Sequence, residues 1–419
     1  MGLAQQISNR TPFYYGWIIL FSAGSSLFVR NASSSVILAI FIYPISEELG
    51  WSRTVIAGAA AFGGLAASGA SPLVGWIIDR HGCRIVLSVS IFVLGLSTIS
   101  LAWATAPVAF YLAYGTGRVL FSSPIQIGSS VIVLRWFLTK RGRASGLLSL
   151  SHSMGMTLFP LIASIVILIR NYQTAWIILG LTVWGIALLP VSLLLRETPQ
   201  TIGLSLDEVS GDLEIQAQKW SLPAESDWTV REAALNPTLW LLAIGIGSLY
   251  VIHSGINIHL VAYLRDQGLN EGASAAAISV TAVMTAVGSL SWGWIVDHLS
   301  IRFSLAGVAL IIGVTSLGLI NADGIIKAYF FSGLFGFGLG GLLVVPPVVY
   351  SDYFGNESIG TIRGITEPFI SLGQATGAVT SGLIYDITNN YTIAFWGFTL
   401  IGALTAIGMA AIRKPTKTK

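Results

Sequence analysis

Two arginines stand where a charged side chain is costly: Arg30 inside the apolar run Phe13 to Tyr43, and Arg118 inside Val108 to Leu134. A charge at the centre of a bilayer costs about 2.5 to 3.5 kcal/mol on insertion scales, so each of these cations needs a partner or a task. Arg30 shares a helical face with Ser26, Ser33 and Ser34, because spacings of three and four residues return to the same side. The polar stripe ends in a guanidinium that can grip a carboxylate with two hydrogen bonds. The alternative is a cation that bridges helices through backbone carbonyls. The only comparable acid is Glu367, inside Thr361 to Tyr385. Two positive charges against one negative favour an anionic substrate.

A second set lies in the run Leu239 to Leu264. Tyr250, His253 or Ser254, and Asn257 fall on one helical face and can complete the binding site. An imidazole titrates near physiological pH, so His253 is a candidate carrier of a coupled proton. Glu367 and His152 are others, and a hydrogen-bonded core role is the alternative for each. His259 points elsewhere on the same helix, as a packing or gate residue. Gly333, Gly336, Gly338, Gly340 and Gly341 predict close helix packing, and Pro346-Pro347 after them suggests a hinge. No phosphate loop, nucleophile-base arrangement or metal-ligand cluster stands out, and neither an enzyme nor a bound cofactor is expected.

The elements that position these residues are legible in the composition. Of 419 residues, 10% are charged and 54% hydrophobic, which excludes a soluble enzyme. The basic residues stand in short clusters between apolar runs, which argues against nucleic acid as a partner. Cys83, the single cysteine, falls in a charged loop and reads as a bystander thiol. Runs long enough to cross a bilayer number twelve. Besides those above they are Thr54 to Ile78, Ile85 to Trp103, Arg143 to Ile169, Thr174 to Leu195, Ala273 to Val296, Phe303 to Ile320, Ile325 to Val349 and Thr392 to Ile412. With both termini in the cytoplasm, sixteen Lys and Arg lie inside and four outside, the bias expected of a multi-pass protein of the plasma (inner) membrane. The expected organisation is an N-terminal half over 1–195, a cytoplasmic linker over 196–237 and a C-terminal half over 238–419. Thr229-Val-Arg-Glu232 has capping-box spacing and predicts a short surface helix at the linker's end.

The second half repeats the first at an offset of 218 to 219 residues. Gly75-Trp-Ile-Ile-Asp79 with Arg84 matches Gly293-Trp-Ile-Val-Asp297 with Arg302, Gly146 matches Gly364, and Tyr172 to Trp176 matches Tyr391 to Phe395. Six spans preserve orientation, so two equivalent halves around an axis normal to the membrane are implied. The segment Gly75-Trp-Ile-Ile-Asp79-Arg80-His-Gly82-Cys-Arg84 and its degenerate copy resemble the loop motif of the major facilitator superfamily. That resemblance covers the whole chain. It implies an all-α membrane protein of twelve transmembrane helices in two pseudo-symmetric six-helix bundles. It also implies a gating role for Asp79, Arg80, Arg84, Asp297 and Arg302, and cavity-lining places for spans one, four, seven and ten. Arg118, within Gly115-Thr-Gly117-Arg118, resembles the span-four arginine that proton-coupled members use.

Tyr15-Gly16-Trp17, Glu48-Leu-Gly50-Trp51-Ser-Arg53, Arg135-Trp136-Phe137 with Lys140 to Gly146, and His259 to Asp266 are similar to prokaryotic monocarboxylate porters and oxalate/formate exchangers. A secondary transporter of small organic anions, most of all monocarboxylates, is therefore expected, with protons as a second partner and a functional monomer in the lipid bilayer. Arg30, Ser34, Arg118, Tyr250, His253 and Asn257 are the expected substrate contacts. Span eight has no arginine and span eleven no lysine, so first-half arginines would hold the anion. Rival readings are an efflux carrier for neutral or amphipathic compounds and a non-transporting sensor of the same fold.

Overall fold

The computed structural model describes Gln5, residues 11–204 and residues 228–416. The acidic residues Asp207 to Asp227 of the expected linker, and Arg10, Lys219, Lys417 and Lys419, lie outside the described residues. Every regular element among the described residues is helical.

The first six expected spans are built from α1 (Gly16–Val29) with α2 (Ser35–Leu49), α3 (Arg53–His81), α4 (Cys83–Ser100), α5 (Pro107–Ser122) with α6 (Pro124–Trp136), α7 (Arg141–Ile169), and α8 (Tyr172–Val183) with α9 (Leu189–Leu194). After α10 (Val230–Leu235), the rest are α11 (Pro237–Asn257) with α12 (Leu260–Asp266), α13 (Glu271–His298), α14 (Ile301–Ile320), α15 (Ile325–Phe354), α16 (Ile359–Thr388) and α17 (Thr392–Ala411). Eleven of the twelve expected spans coincide with helical segments long and apolar enough to cross a bilayer. The other coincides with α16, whose Thr361, Arg363, Thr366, Glu367 and Gln374 make it less apolar than its neighbours. The capping box is present as expected: Glu232 N–H donates to Thr229 Oγ1 at 3.3 Å, and Thr229 N–H donates to Glu232 at 2.8 Å.

Span one is not the continuous helix that the serine stripe presumed. It passes through a 3-10 turn over Arg30–Ser33 and an extended Ser34 before resuming. Ser and Asn side chains compete with the helix for backbone partners, and this stretch reads Arg-Asn-Ala-Ser-Ser-Ser. Asn31 Nδ2 donates to the carbonyls of Leu27 and Phe28, while Ser34 Oγ accepts from Ile37 N–H as the cap of α2. Tyr114 Oη, from α5, donates to the carbonyls of Ser33 and Ser34 released by the break. Span four is likewise interrupted at Ser123, before Pro124, and span seven between Asn257 and Leu260. Span ten, by contrast, runs helical through Pro346 and Pro347.

Contact clustering divides the chain into two units. Unit 1 holds residues 1–140, 151–227 and 356–365; unit 2 holds 141–150, 228–355 and 366–419. Helices α7 and α16 therefore each give their first turns to one unit and the remainder to the other. In unit 1 the buried Phe41 and Trp176 stack with ring centroids 3.7 Å apart. In unit 2, α13 and α15 approach through glycines. A Cβ at Gly336 would overlap the carbonyl oxygen of Thr281, and one at Gly288 would overlap that of Phe337. Gly397 of α17 faces open space. Gly336→Leu should therefore destabilise the protein by about 1–3 kcal/mol as the two backbones are forced apart. Gly397→Ala should leave stability unchanged or raise it by up to about 1 kcal/mol. Unfolding in graded denaturing detergent reads both.

Candidate functional site

Arg30 occupies the first position of the break in span one and is 6% exposed. Its Nη1 donates to the carbonyl of Phe121 at 2.8 Å. That carbonyl belongs to the last turn of α5, where Pro124 ends the regular donor supply. The bridging reading of Arg30 is thus what this structure realises. The guanidinium also lies over the Phe121 ring, 4.3 Å from its centroid. Arg118, from the same turn of α5, places its own guanidinium 4.6 Å from that centroid. The two cations are therefore no further apart than those two distances together, with one aromatic ring as their common neighbour. Arg118 Nε is buried and has no hydrogen-bond partner among the described residues. Gly63 makes room for this arginine, since a Cβ there would press on its Cβ and Cγ.

The cluster is completed by His152, already a candidate proton carrier by its type and place, and by Asn31, which the sequence did not single out. Arg30 Nη2 lies 3.3 Å from His152 Nδ1, and Asn31 Nδ2 lies 3.2 Å from the same nitrogen. Asn31 Nδ2 also donates to the His152 carbonyl at 3.2 Å. Gly155, one turn further along α7, permits the approach: a Cβ there would overlap the Phe28 carbonyl and crowd Asn31 Nδ2. Ser34, expected to touch substrate, accepts from Ile37 N–H as the cap of α2 and is 5% exposed.

The second-half candidates lie in unit 2. Tyr250 and His253 pack edge to face with centroids 5.7 Å apart, and His253 Nδ1 is buried without a hydrogen-bond partner among the described residues. Asn257 is the last residue of α11, just before the break, and Glu367 lies in the unit 2 part of α16. His259 Nε2 is 3.1 Å from the Ala378 carbonyl, so it must donate there, and Nδ1 then accepts from Tyr391 Oη at 3.2 Å. That pins the start of α12 to α16.

The two motif aspartates do matching work. In unit 1, Asp79 accepts from Gly360 N–H at 3.0 Å and from Thr361 N–H and Oγ1 at 2.7 and 2.8 Å, so its carboxylate sits on the first turn of α16. In unit 2, Asp297 accepts from Gly142 N–H at 2.6 Å and Arg143 N–H at 3.1 Å, on the first turn of α7. Arg135 Nη2 donates to Asp79 at 3.1 Å and its Nη1 to Glu197 at 3.3 Å, while Glu197 also accepts from the backbone N–H groups of Cys83 and Arg84. Arg84 binds the Ser192 carbonyl through Nε and Nη2. Arg80 and Arg302 join neither carboxylate; they lie over the rings of Trp76 and Phe303. Cys83 is corrected as well: it is fully buried at the start of α4 with Arg135 beside it, because the loop it was assigned to is already helix.

A profile of the Major Facilitator Superfamily matches residues 20–370. The chain belongs to that superfamily. Among its relatives are the membrane sensor protein UhpC of Salmonella typhimurium, 27% identical over 82% of this chain and 78% of that protein, and monocarboxylate transporter 13 of Rattus norvegicus, 25% identical over 91% and 85%. The solved proton:xylose symporter XylE, bound to 6-bromo-6-deoxy-D-glucose, shares the fold with a TM-score of 0.75 at 13% identity, over 94% of this chain and 95% of that one. This superfamily protein is thus a multi-pass integral membrane protein whose structural neighbours are transporters rather than enzymes.

Asp79→Ala removes the acceptor for three donors at the start of α16 and one of the two carboxylates held by Arg135. A loss of about 1–3 kcal/mol in thermal stability is expected. Arg80→Ala, which leaves the carboxylate network intact, should melt within about 0.5 kcal/mol of the parent.

Proposed function

We propose that this protein is a secondary transporter of small organic anions, with monocarboxylates as the principal substrates and protons as the coupled ion. The observation that carries the reading is the pair of guanidinium groups, Arg30 and Arg118, gathered on the Phe121 ring. Two guanidinium groups beside one ring offer an anion two cationic partners. A guanidinium matches a carboxylate in shape, and the ring beside it suits the short hydrocarbon body of a monocarboxylate. The similarity to monocarboxylate transporter 13 points the same way. In this reading Tyr250, His253 and Asn257 complete the substrate contacts, and His253, Glu367 and Arg118 are the candidates for proton coupling. Asp79 with Arg84, and Asp297, latch the cytoplasmic ends of helices during alternating access. Both termini face the cytoplasm, and one chain is the functional unit in the inner membrane.

The likeness to UhpC supports a second reading, a membrane sensor that binds the same class of ligand and signals without carrying it. Flux in proteoliposomes separates the two.

Thermal stability of the detergent-purified protein, at about pH 5.5 and about pH 7.5, tests the ligand class against acetate, pyruvate, lactate, oxalate, a neutral sugar and a lipophilic cation. A ligand at 100 times its Kd adds about 2.7 kcal/mol. Saturable stabilisation by a monocarboxylate is expected, lost in Arg30→Ala and weakened about tenfold or more in Arg30→Lys, which keeps charge but not the fork. Stabilisation by the cation or the sugar alone overturns the reading.

A further inference from the structure

The contacts around His152 impose a choice that the anion site alone does not. Arg30 Nη2 is a pure donor 3.3 Å from His152 Nδ1, and Asn31 Nδ2, also a donor, lies 3.2 Å from the same nitrogen while within reach of the Leu27, Phe28 and His152 carbonyls. Nδ1 must therefore present its lone pair, which places the ring proton on Nε2 and leaves the imidazole neutral. A proton arriving at Nδ1 takes that lone pair. It turns an acceptor into a donor facing two donors, and puts a second positive charge beside Arg30. Among the described residues of unit 1, the charged groups brought to this ring are Arg30 from the break in span one and, across the Phe121 ring that also touches His152, Arg118 from α5. Ser151 and Ser153 flank it on α7. An anion bridging guanidinium and imidazolium relieves both conflicts at once.

We infer that His152 is the positioning residue that couples a proton to the anion site: neutral, it holds the Arg30 guanidinium in place of substrate; protonated on Nδ1, it releases Arg30 and donates to the incoming carboxylate. The inference rests on the anion reading and adds the site and order of proton entry. One proton and one carboxylate then enter together, and linkage makes each raise the affinity for the other.

The test uses full-length protein in detergent, labelled with ¹⁵N-histidine, with the His152 resonance assigned by its loss in His152→Gln. In the absence of ligand at neutral pH the Nε2–H tautomer is expected; the Nδ1–H tautomer would overturn the proposal. Arg30→Gln should move the pH at which the ring gains its second proton by about one unit. Asn31→Leu, which keeps Arg30, should move it in the same direction by less and serves if Arg30→Gln does not fold. An unmoved transition in a folded variant would also overturn the proposal. Calorimetric titration with pyruvate, in buffers of different ionisation enthalpy, should show close to one proton taken up per anion in the parent. His152→Gln gives Arg30 an acceptor that no proton can remove, so it should bind pyruvate about tenfold or more weakly than the parent and with the proton uptake lost; binding as tight as the parent's, or undiminished uptake in the residual binding, refutes the coupling. If neither pyruvate nor acetate, lactate or inorganic phosphate binds the parent while the tautomer and the Arg30 dependence hold, the anion reading fails and the Arg30–His152 competition stands.

Discussion

In an apolar bundle every backbone carbonyl released by a helix break must find a donor within the protein, and the site region of unit 1 is organised by that requirement. Span one breaks at Arg30–Ser33 because its own Ser and Asn side chains compete for the helix's hydrogen bonds. The released carbonyls are taken by Asn31 and Tyr114, and the end of α5 is closed by Arg30 itself. The guanidinium therefore stands where it does for two reasons together: it repairs one helix end, and it is aimed at a histidine on another helix. A residue with both tasks can be released toward a ligand only if something else changes nearby, and that ties its chemistry to the backbone geometry around it.

The repeat and the motif are local signals and carry the fold: apolar runs between charge clusters give the spans, and the Gly-Trp-Ile-x-Asp copies mark equivalent positions in the two units. The intramembrane charges of Arg30 and Arg118 are equally visible, because an arginine inside an apolar run is conspicuous without any structure. Less legible is what each one touches. Arg30 and His152 are 122 residues apart, and Asp79 and Thr361 are 282 apart, and no spacing rule relates such pairs. The serine stripe misled for a definable reason: it presumed an unbroken helix, whereas Ser34 is itself the cap that restarts one. Cys83 misled because a motif read as loop is helical from its first residue.

The two copies of the motif have diverged around a common task. Each aspartate sits on the first turn of a helix, but in unit 1 the carboxylate belongs to a chain of charges that runs through Arg135 to Glu197 and on to the start of α4. In unit 2 the matching aspartate pairs with Arg143, whose side chain is 44% exposed, at 3.7 Å. The Asp297 carboxylate is itself only 7% exposed, so the two sites differ in the number of charges joined rather than in the burial of the aspartate.

The division of α7 and α16 between units bears on how the protein is made. The seat for residues 356–365 is formed by a part of the chain that leaves the ribosome nearly three hundred residues earlier, with Asp79 and Gly75 already in place and nothing yet to receive. Domains otherwise tend to fold as they emerge, the N-terminal one first. Here the early unit stays unfinished until the start of α16 arrives, at which point residues 228–355 of the late one have been synthesised and residues 366–419 have not.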